Sequence, residues 1–108
     1  MVREKFQTLT EQMFYILLCL QKECCGVDIM ARAADMTGGR VVIGPGTLYS
    51  LLESFIAEGF IRETRVEGRR RSYLLTERGR LRLEEEYHRI MRQAEDYRRW
   101  KEDMPHER

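Results

Sequence analysis

The sequence predicts a mainly α (α+β) fold: a small helical domain that carries a β-hairpin and continues into one long helix. Three observations carry the prediction. Apolar residues recur at helical spacing in three stretches before residue 60, two short alternating stretches flank Gly68, and the chain from residue 77 onward is highly charged with a sparse apolar rhythm. With 108 residues, 43% of them hydrophobic and 34% charged, the chain can bury only a modest core. Small domains of this kind often complete their core by association.

The first helix has a capping-box start at Thr8-x-x-Glu11, with Thr10 an alternative cap one register on. From Met13 to Leu20 every residue is apolar. A surface helix shows one apolar stripe, so a helix apolar all round is covered on more than one side. So small a domain supplies one cover, and the other is expected from a second subunit. Gly26 opens a second helix, Val27 to about Thr37, with Val27, Met30, Ala31 and Ala34 on one side, and Gly38 fits the left-handed position that ends it.

Arg40-Val41-Val42-Ile43 is long enough for one short strand. Pro45 then starts a third helix, since proline at the first helical position loses no hydrogen bond and already has helical φ. Leu48, Leu51, Leu52, Phe55 and Ile56 give it one buried face, and Gly59 closes it. Gly46, Ser50, Glu53 and Ala57 lie opposite, flanked by Thr47, Tyr49 and Ser54. Phe60 to Val66 reads as a strand, Glu67-Gly68-Arg69 as a turn and Ser72 to Leu75 as the returning strand. Thr76 caps a final helix reaching about Asp103, along which Leu83, Tyr87, Ile90, Ala94, Tyr97 and Met104 keep a seven-residue rhythm interrupted by Lys101. Such a rhythm is the seam of a helix pair. The order helix, helix, strand, helix, strand, strand, long helix is a winged helix-turn-helix with a long C-terminal dimerisation helix. Residues 1–76 would form the DNA-binding domain and residues 77–108 the dimerisation helix and tail.

Charge singles out the hairpin. Residues 1–60 carry 5 basic and 7 acidic side chains, residues 61–76 carry 5 and 2, and residues 77–108 carry 9 and 9, so the near-neutral whole hides a local net of +3. A compact cationic hairpin beside a helix is an electrostatic footprint for DNA. Other classes find little support. The longest apolar run, Met13–Leu20, is far short of the roughly 20 residues a membrane span needs, and Val2-Arg3-Glu4-Lys5 does not read as a signal peptide. Cys19, Cys24 and Cys25 have neither disulfide-framework nor zinc spacing, which predicts a cytoplasmic protein without metal. His88 and His106 are isolated, Gly44-Pro45-Gly46 lacks the lysine of a phosphate loop, and Glu84-Glu85-Glu86 reads as a solvated face. No enzyme and no cofactor are expected.

Gly44-Pro45-Gly46-Thr47-Leu48-Tyr49, then Leu52, then Glu58-Gly59-Phe60-Ile61, then Gly68-Arg69-Arg70-Arg71-x-Tyr73-x-Leu75-Thr76-x-x-Gly79 resembles the PadR (phenolic-acid decarboxylase regulator) family of bacterial transcription factors. The likeness covers about residues 8 to 100, and the short length resembles the branch with a single C-terminal helix. It implies a homodimer in which that helix packs on the partner's first helix, an interface expected to use Phe14, Leu17, Leu18, Leu83, Tyr87, Ile90, Ala94 and Tyr97. It also implies double-stranded operator DNA as partner.

The expected DNA contacts are Thr47, Tyr49, Ser50 and Ser54 of the third helix and Arg69, Arg70 and Arg71 of the wing, with Arg65 and Arg40 in second line. Strand alternation aims two of the three wing arginines at DNA and leaves one to pair with Glu67 or Glu63. The sequence departs from the family where basic residues usually sit midway along the recognition helix, here Glu53 and Ser54, and where an aromatic often follows Gly26, here Val27. Glu53 could accept from a cytosine amino group. In drug-sensing members a tryptophan on the last helix stacks planar ligands, which points to a planar aromatic effector between Trp100 and Phe14 or Tyr15; packing of Trp100 on the partner's first helix is the simpler use. The sum is a ligand-responsive homodimeric repressor. The other reading, a winged-helix protein-interaction module without DNA binding, draws on the lack of Lys or Arg in helix three.

Overall fold

The computed structural model describes residues 8–103. Its elements are α1 (Glu11–Cys19), β1 (Cys24–Cys25), α2 (Gly26–Met36), α3 (Pro45–Ala57), β2 (Ile61–Glu67), β3 (Arg70–Leu75) and α4 (Glu77–Asp103). Thr10 is the cap that forms, its hydroxyl accepting from the Met13 N–H at 3.2 Å. Met104, the last step of the expected seven-residue rhythm, lies outside the described residues.

The strand expected at Arg40–Ile43 does not form. Val41 and Ile43 do point into the core while Val42 is 69% exposed, so the alternation is real. Among the described residues no strand lies alongside to complete a ladder, however, and the Thr37 hydroxyl takes the Val41 N–H at 3.0 Å instead. The third strand is Cys24–Cys25, which pairs antiparallel with β3 through Cys24–Tyr73 and Cys25–Ser72. The sheet order is β1-β3-β2, with the wing hairpin closed by Gly68 at φ +64°. One residue is bulged between Glu63 and Arg65, which changes the facing of the strand before its tip.

Ile16 and Leu17 of α1 with its C-cap Leu20, Ile29 and Ala33 of α2, and Leu48, Leu52 and Phe55 of α3 fill the centre of the core. Two expected faces need correction. α2 buries Gly26, Ile29 and Ala33, with Met30 and Ala34 half-buried beside them, whereas Ala31 is exposed and Val27 is 62% exposed. α3 leaves Ile56 43% exposed, because the core ends at Phe55 and the open groove begins there. On α1, Met13, Phe14, Tyr15 and Leu18 are half-buried, packed against the edge of this core within the protomer itself.

The end of α3 is locked to the start of α4. Gly59 takes φ +78°, the Thr76 hydroxyl donates to its carbonyl at 2.6 Å, and the Thr76 N–H donates to the Phe60 carbonyl at 3.0 Å. The Gly79 N–H closes on the Thr76 hydroxyl at 3.0 Å, capping α4. A Cβ at Gly79 would lie 1.9 Å from the Phe60 carbonyl oxygen, so only glycine permits this approach. Arg78 completes the joint, donating to the Glu58 carbonyl at 2.8 Å.

Two turns beyond Gly79, Glu86 is 1% exposed, although the sequence reads it as solvated. Gly79, Leu83 and Glu86 at i, i+4 and i+7 share the buried face of α4, a spacing that carries the signal for its burial. Its Oε2 accepts from Arg89 Nε at 3.0 Å and its Oε1 lies 3.7 Å from Nη1 of the buried Arg82. Burial alone would raise its pKa; hydrogen bonds from Arg89 and the Leu9 backbone, with the charges of Arg89 and Arg82, outweigh that and hold the carboxyl below its usual range.

Candidate nucleic-acid interface

α3 presents Gly46, Thr47, Ser50, Glu53 and Ala57 to solvent as an exposed face, with Ser54 half-buried at its edge. Its N-cap, Gly44, makes no side-chain cap hydrogen bond, so the first N–H groups are available to an anion. Tyr49 is fixed by a close approach that the sequence does not announce: a Cβ on Gly26 would come within 2.5 Å of its hydroxyl. Gly26 thus serves the packing of α2 on α3 as well as the start of α2.

Between α3, the start of α2 and the wing lies an open groove of about 680 Å³. Val27, Tyr49, Leu52, Ile56 and Tyr73 give it apolar walls, and Ser50, Glu53, Arg69, Arg70 and Arg71 supply its polar groups. Burial, reinforced by the nearby Glu63, pushes the Tyr73 phenol up, so it stays a neutral hydroxyl at this edge. Val27 and Ile56, expected in the core, are instead groove walls.

The wing charges divide into two sets. Arg71 bonds Glu63 at 3.3 Å and Arg65 lies 3.8 Å from Glu67. Arg69 and Arg70, at the exposed tip, have no ion-pair partner among the described residues. Arg40 is held elsewhere, by Glu11 and by the Tyr15 hydroxyl of α1 at 3.1 Å, and hydrogen bonding to Glu11 raises its pKa further. It therefore stands apart from the other arginines as a contact candidate.

The remaining expected site residues are dispersed. Leu17 and Leu83 are buried inside the protomer, which removes them as direct interface contacts, whereas Tyr87, Ile90, Ala94 and Tyr97 are exposed along α4. Phe14 and Tyr15 pack edge to face at 5.4 Å on α1. Trp100 is 67% exposed beside Asp96, Arg99 and Asp103. It lies about 21 Å along the helix from Glu86, so one protomer does not bring it to Phe14 or Tyr15. Burial pushes the Cys24 thiol up to about 11 and raises Cys19 as well, so both stay protonated and unreactive near neutral pH. No His, Cys, Asp and Glu grouping suited to a metal occurs among the described residues, nor is any helix there long and apolar enough to cross a membrane.

A helix pair packed by a glycine–tyrosine contact, an exposed polar third helix and a flanking cationic hairpin define a winged-helix domain of the transcription-regulator type. The chain belongs to the transcriptional regulator PadR-like family, whose model matches residues 16–85. That family is one of transcription regulators, not of enzymes. No curated protein matches the chain by sequence alone.

Solved structures agree on the fold. A transcriptional regulator from Clostridium thermocellum superposes with a TM-score of 0.73 at 22% identity, over 82% of this chain and 87% of that one. RosR of H. salinarum gives 0.68 at 20% identity, over 81% and 78%. Bacillus subtilis PadR, solved in complex with operator DNA, gives 0.60 at 27% identity, over 68% of this chain and 45% of that one. This chain therefore spans less than half the length of that PadR chain.

Proposed function

We propose that the chain is a cytoplasmic, homodimeric repressor that binds a pseudo-palindromic operator, each protomer placing α3 in a major groove and its wing along the backbone. The observation that carries the reading is the pair of unpaired tip arginines, Arg69 and Arg70, across an open groove from the polar face of α3. Phosphate anchoring falls to the wing and to the uncapped start of α3, because α3 contains no Lys or Arg. Thr47, Tyr49, Ser50 and Ser54 supply hydroxyls for phosphates and base edges. The likeness to a PadR solved with operator DNA supports the same partner here.

Dimerisation would cover the exposed Tyr87, Ile90, Ala94 and Tyr97 of α4 with the partner's Phe14 and Leu18 side of α1. A planar aromatic effector at the dimer centre, between Trp100 and the other protomer's first helix, would change the separation of the two α3 helices. A shift of a few ångströms there breaks register with half-sites about one DNA turn apart. Trp100 fluorescence that stays unchanged across a panel of planar aromatics would remove the effector part of the reading.

Fluorescence anisotropy against the protein's own promoter DNA tests the DNA part, with and without Arg69→Ala/Arg70→Ala. Specific binding that weakens in the double variant supports it. Absence of specific binding at low salt favours the protein-interaction module, for which the lack of Lys or Arg in α3 speaks.

A further inference from the structure

We infer that Glu53 is the base-selecting residue of α3 and that it selects cytosine. The inference rests on the DNA-binding reading above and deepens it. Glu53 is exposed on the outward stripe of α3, one turn beyond Ser50, and lines the groove that Arg69, Arg70 and Arg71 also line. Its carboxylate nevertheless forms no ion pair with any of them among the described residues: Arg71 is taken by Glu63, and the tip arginines stand apart. An unpaired carboxylate on the contact face of a polyanion binder is repelled by every phosphate it approaches. It is tolerated only where a base edge offers it a hydrogen-bond donor.

The major-groove edges differ in what they offer. Guanine presents two acceptors and thymine an acceptor beside a methyl group. Adenine presents a donor next to the N7 acceptor, which also repels a carboxylate. Cytosine presents the N4 amino donor without an acceptor of its own. Glu53 therefore penalises three bases and accepts one, selecting by repulsion as much as by bonding. The hydroxyls of Thr47 and Ser50 donate or accept, and discriminate less.

The test is selection of bound duplexes from a randomised double-stranded DNA pool by the full chain and by its Glu53→Ala and Glu53→Gln variants. Glu53 is exposed, so neither substitution disturbs the core. The expected wild-type motif has one cytosine per half-site, preferred on the order of tenfold to a hundredfold over the other bases. In Glu53→Ala that preference vanishes while the other positions keep theirs. In Glu53→Gln it moves to adenine, whose N6 and N7 suit an amide. Variants that retain the wild-type preference at every position, with only the overall affinity changed, overturn the inference and make Glu53 a general electrostatic group. A wild-type chain that enriches no duplex at all overturns the DNA-binding reading itself, and this inference with it.

Discussion

Where the end of α3 meets the start of α4 in space, the chain carries glycines, arginines and a glutamate; so does the face formed by α3 and the wing. At the junction these residues are enclosed. Thr76 bonds both ends of the joint, Gly79 lies against a backbone carbonyl, and Glu86 is buried between Arg82 and Arg89. On the face of α3 and the wing, Arg69, Arg70 and Glu53 are solvated with no ion-pair partner among the described residues, and apolar Val27 and Ile56 line an open groove. Charges that stabilise a fold are paired inside it, whereas charges meant for a partner are left unpaired on a rigid frame. The difference separates the holding half of the domain from its reading half.

The largest effect should come from the junction. Gly79→Ala forces a methyl group onto the Phe60 carbonyl, so the α3–α4 joint must shift. A loss of about 3 kcal/mol is expected, seen as a fall in Tm of more than about 10 °C. A variant as stable as the parent would show that the joint has slack and blur the contrast with the wing.

Glu86→Ala comes next, since it removes the carboxylate shared by Arg82 and Arg89; about 2–4 kcal/mol is expected in urea unfolding near neutral pH. The folded-state pKa of Glu86 is depressed, so its contribution is complete above the ordinary carboxylate value of about 4.3 and is lost as pH falls through the lower folded value. The gap between the parent and Glu86→Gln should therefore hold from pH 7 to about 5 and narrow below about pH 4. A gap that widens on acidification would contradict the sign.

On the reading face the effects are smaller and fall on affinity rather than stability. Arg69→Ala/Arg70→Ala should weaken DNA binding on the order of tenfold at low salt and flatten the log–log salt dependence by about two units. The smallest effect belongs to Arg71→Ala, with a slope change under about one unit because Glu63 already engages its guanidinium. Unfolding midpoints for all three positions should stay close to that of the parent. Equal slope changes at Arg70 and Arg71 would dissolve the division between paired and unpaired wing charges.

Much of this architecture is legible in the order of residues. Pro45 starts α3, Gly59 ends it, Gly68 turns the wing, and the helical spacing of Leu48, Leu52 and Phe55 names the central core face. Local backbone preference and periodicity decide these features, and both are written in neighbouring residues. The alternation at Arg40–Ile43 predicts a strand that does not form, because alternation reports burial, not pairing. A ladder needs a second chain segment, and tertiary packing gave that place to Cys24–Cys25. The groove is only half legible: Arg69, Arg70 and Arg71 stand out by charge, whereas Val27 and Ile56 look like core until the core is seen to end before them.

By itself the sequence determined a winged helix-turn-helix with a cationic wing, a third helix without basic residues and one long C-terminal helix. Those facts follow from composition, spacing and turn chemistry along a single chain. Tertiary structure alone decided which arginines remain unpaired, that Glu86 is buried, and that Gly26 and Gly79 serve close approaches of Tyr49 and Phe60. Each of these depends on what lies across from a residue, and distance through space is set by packing rather than by sequence separation.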